Sequence, residues 1–179
     1  MSGHSKWAQI KHKKGVTDAK RGKIFSKLSR VITIAARGPG ADPKTNSKLA
    51  AAIEEARKSN MPNDNIDRAI KRAAEKESAG LKEVVYEAYG PGGSAVIITA
   101  VTDNSNRTTN EIKHLLLERG AKLGEQGSAM WAFNKKEKDF IAKYPVELFG
   151  DDTKKFEDLL SALDDHDDVQ EVYSNAQLP

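Results

Sequence analysis

The sequence predicts an α+β protein, with an N-terminal three-helix domain followed by a small α+β sandwich whose helices lie on one face of a sheet. Apolar residues recur at helical spacing up to residue 80 and then change to runs of β-branched and aromatic residues. Charge changes at the same place, from 18 basic and 8 acidic side chains in 1–80 to 11 and 18 in 81–179. Only Trp7 and Phe25, of 11 aromatic residues, precede residue 80. We therefore expect a basic helical domain at 1–80 and an acidic α+β domain at 81–179.

The first domain is predicted to contain three helices. The first runs from Asp18 to Arg37, because its apolar side chains fall in one sector of a helix, and it stops at Gly38-Pro39-Gly40. Asp42-Pro43 resembles a cap followed by a first-turn proline, which predicts the start of a second helix. A third helix is expected between the break at Asn60-Met61-Pro62 and the polar stretch Glu75 to Gly80.

The second domain is predicted to open with two strands, Val84 to Tyr89 and Ser94 to Val101, joined by the turn Gly90-Pro91-Gly92-Gly93. Thr108-Thr109-Asn110-Glu111 fits a capping box and predicts a helix that ends at Gly120. Two strands, a helix and a last strand should follow. Their expected positions are Ser128 to Phe133, a short strand around Phe140 to Tyr144, a helix with Phe156, Leu159, Leu160 and Leu163, and Val169 to Tyr173.

A cationic stripe is expected beside the apolar sector of the first helix. Its members recur at steps of three, four, three and seven, and they are Lys20, Lys23, Lys27, Arg30 and Arg37. The N-terminal arm before the helix is also basic, so residues 1–40 hold ten Lys or Arg and one acid, Asp18. Most charge runs are solvated surface. A run of one sign, next to a helix of the same sign, instead favours phosphate contact with nucleic acid.

The residues predicted to contact nucleic acid lie in the arm, on the first helix and before the capping box. They are His4, Lys6, Trp7, Lys11, His12, Lys13, Lys14, Lys20, Arg21, Lys23, Lys27, Arg30 and Arg107. The first half offers few aromatic rings on which bases could stack. Binding should therefore depend strongly on salt and weakly on base sequence.

Two loops could hold an anion. Thr102 to Thr108 places seven polar residues before a helix N-terminus, where N–H groups without helical partners attract anions. The alternative is local capping by Asp103, Asn104 and Thr108. Gly90-Pro91-Gly92-Gly93 lacks the Lys-Ser/Thr ending of a phosphate loop, so we expect only a turn there.

A run of acids, Asp164-Asp165-His166-Asp167-Asp168, opposes the dipole at the expected end of a helix. Successive positions point in different directions and seldom converge on one ion, so no metal site is predicted. The run is interpreted instead as repelling nucleic acid, or as docking transiently on the basic arm.

The composition excludes several function classes. Zero cysteines rule out disulfides, thiol nucleophiles and cysteine-ligated zinc. The four histidines are scattered and no nucleophile with its base is recognisable, so neither enzymatic activity nor a cofactor is predicted. No apolar run approaches the roughly 20 residues of a membrane-spanning helix. We expect a soluble cytoplasmic protein with no membrane partner.

Several long motifs occur in order along the chain. Among them are Gly3-His4-Ser5-Lys6-Trp7, Asn60-Met61-Pro62-Asn63-Asp64-Asn65-Ile66, Tyr89-Gly90-Pro91-Gly92-Gly93 and Thr102-Asp103-Asn104-Ser105-Asn106-Arg107-Thr108. In these motifs the sequence resembles the YebC/PmpR family. The resemblance implies a helical domain and two α+β domains, in a cytoplasmic transcriptional regulator that binds DNA. Mitochondrial relatives and some bacterial members act instead in translation at the ribosome.

One region departs from that pattern. Between Asn134 and Tyr144 the chain is too short for the family's inserted α+β domain, so we expect a shortened 135–150 connection with the third domain missing or vestigial. DNA and ribosomal RNA, or the ribosome, both remain as predicted partners, because phosphate electrostatics look alike on the two polymers. A protein-binding adaptor that leaves the arm idle is a third interpretation, with its protein partners unknown.

Overall fold

The computed structural model describes residues 17–137 and 139–179. In these ranges the helices are α1 (Asp18–Arg37), α2 (Ser47–Lys58), α3 (Asn63–Arg72), α4 (Ser105–Glu118) and α5 (Asp151–Asp165). The strands are β1 (Lys82–Tyr89), β2 (Ala95–Thr102), β3 (Lys122–Leu123), β4 (Phe133–Lys136), β5 (Asp139–Ala142), β6 (Val146–Glu147), β7 (Val169–Ser174) and β8 (Ala176–Gln177). The predicted α+β class is confirmed.

The described residues form two compact units. One is built on the helices up to Glu83 together with Val101–Ser105, and the other on Val84–Ala100 and Asn106–Pro179. Within the described ranges, short 3-10 helices lie between the regular elements at Lys76–Gly80, Pro91–Gly93 and Met130–Ala132.

The helical unit packs its three helices around a small apolar core. Ile32 of α1, Leu49 of α2 and Ile66 of α3 are buried in it, and the remaining positions are largely alanine. Small side chains let the helices approach closely. Helix α1 has the predicted bounds, and Thr17 caps it by accepting a hydrogen bond from the backbone N–H of Lys20 at 3.4 Å.

The second helix starts later than the sequence predicts. Asp42 does not cap it, because its carbonyl and carboxylate accept hydrogen bonds from the backbone of Lys44, Thr45 and Asn46 in a local turn. The cap is Asn46, which is fully buried. Its Oδ1 accepts from the backbone N–H of Leu49, while its Nδ2 donates to the carbonyls of Ala35 and Gly40. One amide therefore both caps α2 and joins it to the end of α1.

The α+β unit is organised around a four-stranded sheet with the order β3-β1-β2-β7. Strand β2 pairs antiparallel with β7, with Ile97 opposite Tyr173 and Ile98 opposite Val172. The face that carries Val96 and Ile98 packs against α4 and α5, as predicted. The other face carries Ile97 and packs against the antiparallel β4–β5 hairpin, so β2 is buried on both sides.

The strand predicted at 128–133 is wrong in position. Residues 130–132 form a 3-10 turn, and the strand runs over Phe133–Lys136. The reason is the buried carboxylate of Glu87, which accepts backbone hydrogen bonds from Gly127, Ala129 and Met130 at 2.6–2.7 Å. Three N–H groups that converge on one carboxylate cannot extend along a sheet ladder.

The next strand also differs from its prediction. It covers Asp139–Ala142 instead of 140–144, so it begins one residue earlier and ends two residues earlier than expected. Lys136 lies opposite Asp139 in the hairpin, so only two residues separate the paired ends of the strands. No helix in the described residues combines the length and apolar character needed to span a membrane.

Candidate nucleic-acid interface

The predicted interface is only partly visible. Seven of its residues lie outside the described residues: His4, Lys6, Trp7, Lys11, His12, Lys13 and Lys14. The remaining six lie on α1 or at the start of α4. The arm therefore stays a prediction from sequence, and the structure can be compared with it only from Thr17 onward.

The start of α1 presents cations to solvent. Lys20, Arg21 and Lys23 are exposed, whereas Phe25 and Leu28 pack against the helical core. Arg21 lies 3.7 Å from the carboxylate of Asp18, an exposed pair of small energetic value. The amphipathic pattern that predicted the helix therefore also separates its charged face from its buried face.

The stripe becomes less exposed further along α1. Lys27 and Arg30 are half-buried, and Arg30 donates from Nη1 to the carbonyl of Val101 at 3.3 Å. Arg37 donates to the carbonyls of Ser78 and Leu81 at 2.7 and 2.6 Å. The guanidinium of Arg37 thus supplies hydrogen bonds to the chain that follows α3, and the exposed charge is concentrated in the first two turns of α1.

Arg107 is held by two carboxylates. Its Nη2 lies 2.9 Å from Oδ2 of Asp168, which is buried, and its Nε lies 3.8 Å from Glu111. A phosphate at Arg107 would have to compete with both acids. Contact between Arg107 and nucleic acid remains a prediction, and the Arg107 side chain is 43% exposed.

The prediction that a capping box at Thr108 to Glu111 opens α4 is wrong. The helix begins at Ser105, so Thr108 to Glu111 lie inside its first turns. Thr108 is buried and donates its hydroxyl to Asp168 at 2.6 Å, while the backbone N–H of Asn104 donates to the hydroxyl of Thr102. Asp168 is distant in sequence and could not be paired with this loop by local pattern alone.

Two residues of the acidic run, His166 and Asp168, therefore form hydrogen bonds within the α+β unit. His166 accepts the backbone N–H of Asp168 at Nδ1, and its Nε2 lies 3.0 Å from Oε2 of Glu111. Glu111, His166 and Asp168 offer ligand atoms within 4.8 Å of one another. Because Arg107 and Thr108 already bind the Asp168 carboxylate, these groups satisfy one another without an ion. Repulsion of nucleic acid by the run remains a prediction.

Family models match most of the chain. The TACO1/YebC protein N-terminal domain matches residues 5–76, and the TACO1/YebC second and third domain matches residues 81–138 and 135–176. The two pieces of the second match meet at the β4–β5 hairpin. This is the place where the sequence predicts that a domain is missing or reduced.

Similar proteins extend across the whole chain. A "Probable transcriptional regulatory protein" from Thermoanaerobacter pseudethanolicus is 39% identical over 240 aligned positions, covering 99% of this chain and 98% of the relative. One of the same name from Desulfatibacillum aliphaticivorans is 44% identical over 190 positions, covering 98% and 77%. Since this chain has 179 residues, the first relative holds residues with no counterpart here.

A solved structure has the same fold. The crystal structure of a conserved hypothetical protein from Aquifex aeolicus superimposes with a TM-score of 0.86 at 35% identity, and the match covers 97% of each chain. Family-model matches in both units and relatives of this similarity agree with the motifs found in the sequence. The chain belongs to the TACO1/YebC family.

Proposed function

We propose that this protein is a nucleic-acid-binding regulator of gene expression, and that it acts on transcription by binding DNA. The observation that carries the proposal is the concentration of positive charge in residues 1–40, with ten basic residues against one acid. The exposed cations at the start of α1 continue that charge. Relatives named "Probable transcriptional regulatory protein" support the regulatory role.

The mechanism is neutralisation of phosphates with release of condensed counterions. Helix α1 exposes lysine and arginine at its start and no asparagine or glutamine, the residues that read adenine in a major groove. Lysine and arginine can also contact guanine, but the sequence-independent phosphate term should dominate, so we expect binding to depend weakly on base sequence. If about five cations meet phosphates, log K should fall with a slope of roughly −4 to −5 against log salt concentration.

Neutralising the arm should flatten that slope. In the variant Lys11→Gln/Lys13→Gln/Lys14→Gln, three phosphate contacts are lost, and the slope should become shallower by about 2.7 for duplex DNA. The measurement is fluorescence anisotropy with a labelled duplex of random sequence at several salt concentrations.

The matched control removes the same charge from the other half of the chain. Lys113, Lys154 and Lys155 are exposed on α4 and α5, so replacing them by glutamine changes the net charge equally. The salt slope of this control should equal that of the unmodified protein within experimental error. An unchanged slope in the arm variant, or an equal change in both variants, would exclude the arm as the phosphate-binding element.

A ribosome-associated translation factor is the second candidate function. The same exposed cations on α1 would bind ribosomal RNA or mRNA equally well, since phosphate electrostatics are alike on the two polymers. Crosslinking in cells followed by sequencing of the attached nucleic acid separates the two. Promoter DNA supports transcriptional regulation, and ribosomal RNA supports the translation factor.

A further inference from the structure

The α+β unit exposes a pair of aromatic rings. Trp131 lies in the 3-10 turn before β4 and Tyr144 follows β5, with their side chains 55% and 58% exposed. The ring centroids are 5.7 Å apart and the planes are inclined by 37°. Tyrosine and tryptophan are enriched at interfaces, so two adjacent exposed rings make this place a candidate binding surface.

The indole of Trp131 is fixed in place by hydrogen bonds to its own unit. Its Nε1–H donates to the carbonyl of Ser128 at 2.8 Å and to the hydroxyl of Tyr89 at 2.9 Å, and Tyr89 donates to the same carbonyl. The polar atom of the indole is therefore already used. What the ring offers to a ligand is its flat π surface, held in one orientation before anything binds.

The surrounding chain is positively charged within an acidic half. Residues 128–146 contain four lysines and two acids, whereas 81–179 as a whole contains 11 basic and 18 acidic residues. Lys143 precedes Tyr144, and its backbone N–H donates to the carbonyl of Ala132, the neighbour of Trp131. Of the two acids, Asp139 accepts a hydrogen bond from Tyr173 at 3.1 Å.

We propose that Trp131 and Tyr144 form a stacking platform for unpaired nucleobases of a single strand, whose phosphates contact Lys135, Lys136 and Lys143. This inference rests on the proposed function and adds a second contact site to it. Stacking on aromatic rings flanked by cations is how single strands are bound without strong sequence preference. Lysine is depleted in protein–protein interfaces, so the exposed lysines of the adjoining β4–β5 hairpin favour nucleic acid over a protein partner.

Replacing Trp131 tests the platform. Trp131→Leu keeps an apolar side chain but removes the π surface, and should weaken binding of a labelled 12-nucleotide adenine RNA at least about fivefold. Trp131→Phe should retain most of the affinity. The same 12-mer as DNA shows whether the platform distinguishes the two sugars.

Two controls separate stacking from general damage. Phe149→Leu changes another exposed aromatic residue of the same unit, 70% exposed, and should leave the affinity within about twofold, as expected for a residue outside the interface. Binding of duplex DNA should be equal in Trp131→Leu and the unmodified protein, because paired bases cannot stack on the rings. Tyr144→Leu should also weaken single-strand binding. This variant tests the platform independently if Trp131→Leu unfolds the turn that carries the ring.

The outcomes distinguish this inference from the proposed function. If neither ring variant affects single-strand binding while the arm variant flattens the salt slope, the platform is wrong and the proposed function stands. If the arm variant has no effect while Trp131→Leu weakens single-strand binding, the platform stands without the arm. If Trp131→Leu weakens the binding of duplex DNA and of the single strand equally, the platform is wrong. Sedimentation that shows a dimer lost on Trp131→Leu also overturns the platform, because a second copy then occupies the rings.

Discussion

Replacing Glu87 by glutamine is expected to lower the free energy of unfolding by about 2 to 4 kcal/mol at pH 7, the largest effect anticipated for a single polar substitution in the α+β unit. The carboxylate is buried and accepts three backbone hydrogen bonds from 127–130. Glutamine has one acceptor oxygen, and its NH₂ group would face N–H donors. Urea unfolding followed by circular dichroism measures the difference.

The effect of Glu87→Gln should depend on pH. Burial by itself raises the pKa of the Glu87 carboxyl, but the backbone N–H groups of Gly127, Ala129 and Met130 outweigh burial and hold this pKa below its ordinary value. A lowered pKa in the folded state stabilises the protein above the unfolded-state pKa of about 4.3, and this stabilisation is lost as pH falls toward the folded-state pKa. The stability difference between the two proteins should therefore shrink below about pH 4.

Glu83→Gln is the matched control for Glu87→Gln, because Glu83 lies in the same strand and is exposed. It should change the free energy of unfolding by less than about 0.5 kcal/mol. The account of Glu87 is contradicted if both variants have similar stability, or if the loss in Glu87→Gln is constant from pH 7 to pH 3.

Replacing Asn46 by alanine is expected to cost about 2 to 4 kcal/mol in the helical unit. The variant loses the cap of α2 and leaves the carbonyls of Ala35 and Gly40 without the Asn46 donors, at a site with no solvent exposure. Asn46→Asp keeps an acceptor for the cap but places a carboxylate against two carbonyl oxygens. It should therefore be no more stable than Asn46→Ala, as measured by thermal unfolding.

The control for Asn46 is Asn63→Ala at the exposed first position of α3. It should have little effect, since alanine is a good helix former and Asn63 is exposed. Full stability in Asn46→Asp would show that capping alone accounts for the role of Asn46, and the link between α1 and α2 would be wrong.

The elements that the sequence predicts well are those whose pattern is local. Helix α1 has its predicted bounds because its apolar period, Thr17 and Gly38 all lie within the segment. Helix α5 buries Phe156, Leu159, Leu160 and Leu163 as expected. Helix α2 starts at the wrong residue in the prediction, since Asp42 looks like a cap by residue type and only the carbonyls of α1 show that Asn46 takes that role.

The features that the sequence does not predict depend on distant partners. Glu87 looks like an ordinary polar position in a strand, and the loop that binds it follows 40 or more positions later. Asp168 looks like one acid in a run, whereas it binds Arg107 and Thr108 across the unit. Trp131 and Tyr144 resemble core residues by type, and only the folded unit shows that their rings are exposed.

The proposed function requires that the basic residues 1–40 contact the phosphates of a nucleic acid. Ultraviolet crosslinking of the protein to nucleic acid, followed by mass spectrometry of the attached peptides, maps the contact directly. We expect crosslinked peptides from residues 1–37, with additional ones around Trp131 if the aromatic platform operates. Crosslinks confined to other peptides, with none before residue 40, would contradict the claim.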